Sequence, residues 1–164
     1  MSEADQLAKI QAGLAGWCKA NGGKVHIAHD LDHLLLILNG APKVPTIGLY
    51  VSGEKPRNAE MADVESRMDR TIWVVLMRGY ELEQYPGKSL VDNYAGGKPL
   101  FDLLRAAKRA IHGLRFDADD EPIPYYHGYE QISIPGVKVD AYKLIFVICT
   151  EDGDDAGIEE TDAP

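Results

Sequence analysis

Apolar positions recur along this chain with two different periods, and the places where the period changes divide it into elements. From Ser2 to Ala20 the residues Leu7, Ile10, Leu14 and Trp17 share one helical face with Ser2 as the cap, which predicts a first helix. Asn21-Gly22-Gly23 stops it, and Lys24-Val25-His26-Ile27-Ala28 alternates as a short strand. Asp30-Leu31-Asp32-His33 then sets cap-like acids ahead of Leu34-Leu35-Leu36-Ile37-Leu38. That run is too short for periodicity to separate a buried helix from a strand, and Asn39-Gly40-Ala41-Pro42 ends it. Pro45 to Ser52 alternates Ile47, Leu49 and Val51 against Gly48 and Tyr50, while Thr71 to Leu82 is apolar on both faces through Ile72-Trp73-Val74-Val75-Leu76-Met77. Both predict sheet strands. Gly53 to Arg70, between them, is polar and charged, which predicts a projecting loop or a strand extension.

The second half is more regular. Leu100, Leu103, Leu104, Ala107, Ala110, Ile111 and Leu114 recur at helical spacing, with Pro99 tolerated in the first turn and Gly113 at the exit. Tyr125 to Ile134 and Val137 to Cys149 read as strands joined by Pro135-Gly136, a pair that presets a tight turn, so a hairpin is predicted. Leu144-Ile145-Phe146-Val147-Ile148 has no polar interruption, which predicts burial on both faces near the middle of a sheet. The connection from Gln84 to Lys98, with Pro86-Gly87 and Gly96-Gly97, reads as variable, and no internal repeat is present. This order of elements predicts an α+β single domain with a mixed, mostly antiparallel sheet and helices packed on one face.

Composition sharpens the boundaries. At 164 residues, 18.0 kDa and 45% hydrophobic residues, the chain supports one domain with its own core. Seven of its net −9 charges come from Glu151, Asp152, Asp154, Asp155, Glu159, Glu160 and Asp162, in a segment with no basic residue, which leaves −2 on residues 1–150. Residues 1–150 are therefore read as the domain and 151–164 as a disordered acidic tail, either a solubilising extension or a docking segment. Met1-Ser2-Glu3-Ala4-Asp5 lacks the basic start of a secretory signal, and the longest apolar runs fall well short of the ~20 residues that span a bilayer. The expectation is a soluble chain made in the cytosol. Cys18 and Cys149 have no metal or redox spacing and read as reduced structural thiols.

Candidate chemistry is sparse. Gly87-Lys88-Ser89 follows a predicted strand like the end of a phosphate loop, but the earlier glycine of that loop is replaced by Leu82, so backbone amides are poorly placed to cradle phosphate. Gly96-Gly97-Lys98-Pro99 loses an amide donor at Pro99. His26, His29 and His33 with Asp30 and Asp32 form the one cluster resembling metal ligands. A strand through Val25–His29 sends His26 and His29 to opposite faces, whereas a helical turn from His29 sets His29 and His33 together, giving two ligands and at best one carboxylate. Solvated loop histidines are the ordinary reading, and neither cysteine has a neighbouring base in sequence. The carboxylates of Glu60 to Arg70 accompany basic residues and read as a solvated salt-bridging face. No catalytic residue, metal ligand or cofactor is assigned.

One charged feature has a partner-binding reading. Arg105, Lys108, Arg109 and His112 lie three or four apart on the polar side of the predicted helix and form a basic stripe. It suits an acidic partner or a nucleic-acid backbone; the ordinary alternative is a solvated face whose cations favour the helix C-terminus. Aromatic residues do not interleave with it, which argues against a base-stacking surface, and Tyr125, Tyr126 and Tyr129 read as packing or interface residues on the next strand.

The layout from Ala8 to Thr150 resembles the tail terminator, or tail completion, proteins of long-tailed bacteriophages, including the lambda-type terminator and minor tail proteins of Mu-like phages. The resemblance rests on four segments: the N-terminal helix, the polar excursion before Thr71-Ile72-Trp73-Val74-Val75, the helix Leu100 to Leu114, and the strand Tyr142-Lys143-Leu144-Ile145-Phe146. It implies a non-enzymatic virion protein whose six copies form a ring. The ring caps the tail tube, stops its polymerisation and joins the head-side connector, with DNA passing through the ring without sequence-specific binding. It also implies contacts with the tail tube protein and a place in the virion tail after synthesis in the host cytoplasm. Arg105, Lys108 and Arg109 are the expected subunit or partner contacts, and the excursion Glu54–Arg70 and the loop Gln84–Lys98 are further candidates. The alternatives are a small metal-dependent enzyme using His29 and His33, and a monomeric adaptor docking through the acidic tail.

Overall fold

The structure, a computed structural model, describes residues 2–56, 67–79, 100–114, 124–137 and 139–151. Its elements run α1 (Glu3–Gly13), α2 (Ala15–Asn21), β1 (Lys24–Ile27), α3 (Leu31–Leu38), β2 (Thr46–Pro56), β3 (Arg67–Gly79), α4 (Leu100–His112), β4 (Tyr125–Gln131) and β5 (Val139–Glu151). The strands form one five-stranded sheet in the order β1-β2-β3-β5-β4. Only β1 and β2 are parallel, with α3 as their crossover; the other three pairings are antiparallel. The chain is thus an α+β fold on a mixed, mostly antiparallel sheet.

Strand β3 carries the architecture because both of its faces are apolar. Ile72, Val74 and Leu76 point to one layer together with Ile47, Leu49, Tyr142, Leu144, Phe146 and Ile148, and α1, α2 and α4 cover that layer. Val75 and Met77 point the other way, into a smaller cluster with Ala28, Leu34, Tyr50, Ile134 and Ala141. The predicted first helix is divided at Leu14, yet Leu7, Ile10, Leu14 and Trp17 are all buried on the expected face. A buried hydrogen bond from the Trp17 indole N–H to the Leu103 carbonyl, 3.0 Å long, fastens α2 to α4. In α4, Leu100, Leu103, Leu104, Ala107 and Ile111 are buried, and each large aliphatic among them stabilises the fold by about 1.5–3 kcal/mol.

Leu34 to Leu38, whose periodicity left helix and strand open, is helical. Asp30 caps α3 by accepting from the His33 N–H at 2.8 Å, and Asn39 ends it at φ 49°. Unlike the other helices, α3 lies against the second face, where Leu34 is fully buried. Gly48 makes room for it: a Cβ there would sit 2.1 Å from a Leu34 methyl carbon, so any side chain forces Leu34 to move.

The predicted C-terminal hairpin is present, β4 pairing antiparallel with β5 across a turn in which Gly136 takes φ 78°, the left-handed value a type II turn needs. Strand β5 is an interior strand, but its burial is one-sided. Leu144, Phe146 and Ile148 are buried, whereas Ile145 and Val147 are only half-buried because no helix covers that part of the second face among the described residues. The polar excursion is partly strand extension, since β2 and β3 remain paired out to Pro56 and Met68. Residues 57–66 and the connection 80–99 lie outside the described residues, as does the acidic tail beyond Glu151.

One residue of the excursion differs from its expected solvated role. Arg70 is 1% exposed, because it continues the inward phase of Ile72, Val74 and Leu76. It is held by a short ion pair to Glu54 on β2 and donates from its guanidinium to the Gln6 Oε1 of α1 at 2.7 Å. At the other end of the same row, Arg78 is buried opposite Asp140 on β5, whose carboxyl is pushed up by burial and partly drawn back by the Arg78 charge. Two arginines thus bracket the apolar row of β3.

Two expectations follow. Glu54→Ala, which weakens charge balance around a buried guanidinium from a site that is itself 30% exposed, should lower stability by about 1–3 kcal/mol in urea denaturation, and Glu54→Gln by less because it keeps an acceptor. The second concerns Tyr50, 4% exposed, whose hydroxyl finds no hydrogen-bond partner among the described residues. Burial, reinforced by the negative charge of Asp30, pushes its phenol up to about 12 from 10.0. A phenol that ionises later when folded stabilises the fold fully below its unfolded pKa, and this contribution of about 1–3 kcal/mol disappears as pH rises from 10 through about 12. Tyr50→Phe should therefore flatten the alkaline loss of stability in that window, as measured by urea denaturation against pH.

Candidate functional site

The basic stripe sits where the helical spacing put it. Leu103, Leu104, Ala107 and Ile111 turn α4 toward the sheet, which leaves Arg105, Arg109 and His112 exposed on its outer side. Arg105 lies 3.9 Å from Asp102, an exposed pair that contributes little to stability and leaves the guanidinium open to a partner. Lys108 is different. Its ammonium lies 4.2 Å from the centroid of the Tyr126 ring on β4, a contact that ties the stripe to the edge strand of the sheet.

Sequence spacing missed this contact, because it joins a helix to a strand that follows a connection and the partners are eighteen positions apart. The Tyr126 ring also packs against Phe146, with centroids 5.4 Å apart, so it does not offer a free face for stacking bases. Burial raises its phenol first, with the neighbouring Tyr129 adding to the shift. Tyr129 extends a chain of edge-on rings through Tyr142, at 5.8 Å, to Phe101 on α4, at 5.5 Å. Tyr126, Tyr129 and Tyr142 are therefore packing residues at the seam between α4 and the β4–β5 hairpin, with Tyr129 about half exposed, whereas Tyr125, also about half exposed, pairs with Val147 and faces the other side of the sheet.

The opposite sheet face carries a second polar–aromatic contact. The Lys143 ammonium lies 3.6 Å from the centroid of Trp73 and 3.0 Å from the Glu130 carboxylate, which joins the three strands β3, β5 and β4 on the face that carries α3. The sequence places Lys143 only within the closing strand; the register Val75↔Lys143↔Glu130 is what brings it to these partners.

His29 and His33 come together, as a helical turn would have them, with rings stacked at 4.8 Å. The arrangement is a helix start. The His29 N–H donates to His33 Nδ1 at 3.0 Å, which uses the ring lone pair that a metal would need, and Asp30 is engaged as the cap. His26 belongs to β1 and does not converge with them in any group of three or more possible ligands among the described residues. Cys18 is half-buried with its thiol pushed up by burial, and neither it nor Cys149 is in a disulfide. The Gly87-Lys88-Ser89 and Gly96-Gly97-Lys98-Pro99 segments lie outside the described residues.

What this geometry offers is a set of charged and aromatic groups on the outside of a sheet-and-helix body, with the polar chemistry directed outward at β4 and α4. No helix among the described residues is long and apolar enough to cross a membrane.

No family model matches the chain, and no curated protein matches it in sequence. Its fold does match a solved structure. The chain is similar to a chain in the virion of a native gene transfer agent particle, with a TM-score of 0.52 at 11% sequence identity, over 88% of this chain and 93% of that one. At that identity the likeness is one of fold, and it extends over nearly the whole of both chains.

Proposed function

We propose that this chain is a structural protein of a phage-like virion, and more specifically a tail terminator. Its copies close into a homo-hexameric ring on the end of the tail tube, stop tube polymerisation and present a joint to the head-side connector. The observation that carries the reading is the near end-to-end fold similarity to a chain of a gene transfer agent virion, covering 93% of that chain. Two features of the residues support it. Residues 1–150 carry a net charge of only −2, which suits a ring through which DNA slides, since a strongly basic lumen would hold phosphate. Finally, Arg105 and Arg109 stand open on α4 with Lys108 anchored beside them, a surface suited to an acidic region of the tail tube protein, the connector or a neighbouring subunit.

The test is negative-stain electron microscopy of the purified chain over a range of concentrations, alone and with tail tubes. Closed six-membered rings, or a cap at one end of each tube, are expected; a monomer that ignores tubes overturns the reading. Reversing Arg105 and Arg109 to Glu should reduce assembly by at least about tenfold in concentration and flatten its dependence on salt, as expected for charges that meet a partner. The helix itself should remain folded, because exposed charges at its C-terminal end contribute only about 0.3–1 kcal/mol each.

A further inference from the structure

The outer face of α4 is the described surface with the strongest charge of one sign. Arg105, Lys108 and Arg109 stand against the single carboxylate of Asp102, and His112 is exposed three residues beyond Arg109. No other helix among the described residues holds more than one lysine or arginine. Asp102 does not close the stripe, because it lies 3.9 Å from Arg105, whose side chain stays 71% exposed. The Glu130 carboxylate of neighbouring β4 belongs to the opposite sheet face, where Lys143 holds it at 3.0 Å.

Helix α4 runs alongside β5 in the same direction. Near the start of the helix the Phe101 ring meets Tyr142, and further on Lys108 covers Tyr126, which packs on Phe146. The stripe therefore advances toward the end of β5 at Glu151, from which residues 152–164 continue. They include Asp152, Asp154, Asp155, Glu159, Glu160 and Asp162, and no lysine or arginine. Returning from Glu151 to the level of Phe146 takes about 17 Å at the strand rise of about 3.3 Å per residue. Passing round the helix adds about 10 Å, its own width. An extended chain covers that distance in about eight residues, which brings Glu159, Glu160 and Asp162 to the stripe and leaves the first three acids short of it. The connection between α4 and β4 offers a rival set of acids in Asp117, Asp119, Asp120 and Glu121, but it also contains Arg115, whereas 152–164 has no basic residue.

We propose that Glu159, Glu160 and Asp162 lie along the α4 stripe of their own chain, facing Arg105 and Arg109, so that the acidic segment is a built-in occupant of this surface. Tethering holds the acids at an effective concentration in the millimolar range, which lets several weak exposed pairs form together. The pairing fades as the screening length falls from about 8 Å at ~0.15 M salt to about 3 Å at ~1 M. The contact goes beyond the ring reading and does not rest on it. Any acidic partner of α4 has first to displace the segment, whatever assembly follows.

The test compares the full chain with its Glu159→Gln, Glu160→Gln, Asp162→Asn triple variant by heteronuclear NMR, at low salt and at concentrations where the chain is monomeric. A second triple variant, Asp117→Asn, Asp119→Asn, Asp120→Asn, removes the same charge from the connection and serves as the control. The Nε–H signals of Arg105 and Arg109 should move in the first variant and stay in place in the control. Wild type and first variant should converge in about 1 M salt, and the difference between them should not depend on protein concentration. Polyglutamate, added as a competitor at low salt, should bind the first variant at least about fivefold more tightly than wild type, and the control with near wild-type affinity. Unmoved arginine signals with equal polyglutamate affinity overturn the proposal, as do signals that respond to the control variant instead. A shift that grows with protein concentration places the segment on another copy and likewise overturns the contact within one chain.

Discussion

The two-sidedness of β3 is the constraint on which the rest depends. Its neighbours β2 and β5 run antiparallel to it on either side, so each residue of β3 has a fixed opposite number on both. A strand alternates its side chains between faces, so a single register decides the contents of both layers at once. Ile72, Val74 and Leu76 meet Ile47, Leu49, Tyr142, Leu144 and Phe146 beneath α1, α2 and α4, while Val75 and Met77 meet Leu34 and Ala141 on the side of α3. A slip of one residue would exchange these sets and drive Arg70 and Arg78 out of their partners' reach.

The arginines show how the apolar row is closed at its ends. Burying a guanidinium is costly, and it is tolerated only where hydrogen bonds and opposite charge replace water. Glu54 and Gln6 do this for Arg70, linking β2, β3 and α1 at one corner, and Asp140 stands across from Arg78 at the other end. The carboxyl of Asp140 is nevertheless raised by its own burial, which means that the Arg78 charge offsets only part of its lost hydration. A register that separated these groups would leave buried charges without partners, so they penalise the alternatives to the native pairing.

The surface follows from the same geometry. Among the described residues three helices lie on one face and α3 alone on part of the other, where Trp73, Lys143 and Glu130 meet across β3, β5 and β4, and both edge strands carry exposed apolar or aromatic side chains. The fold resembles that of a chain in a gene transfer agent virion at 11% identity, a likeness of architecture rather than of surface chemistry.

By itself, the sequence determined the elements whose signal is local. Helix α4 follows from the spacing of its leucines, the β4–β5 hairpin from Pro135-Gly136, and the α+β order from alternating periods; the outward position of Arg105 and Arg109 comes with α4. Tertiary structure decided what depends on distant neighbours. The run Leu34–Leu38 satisfied two periods and is a helix between the Asp30 cap and Asn39, with Leu34 seated against Gly48 of the sheet. Arg70 looked solvated by composition, and only its phase with Ile72 betrayed that strand pairing would bury it. Lys108 met Tyr126, and Lys143 met Trp73, through packing and register that no spacing along the chain encodes. Local periodicity is written in adjacent residues and can be read there, whereas burial and edge exposure are properties of which strand lies beside which, and those exist only once the sheet has formed.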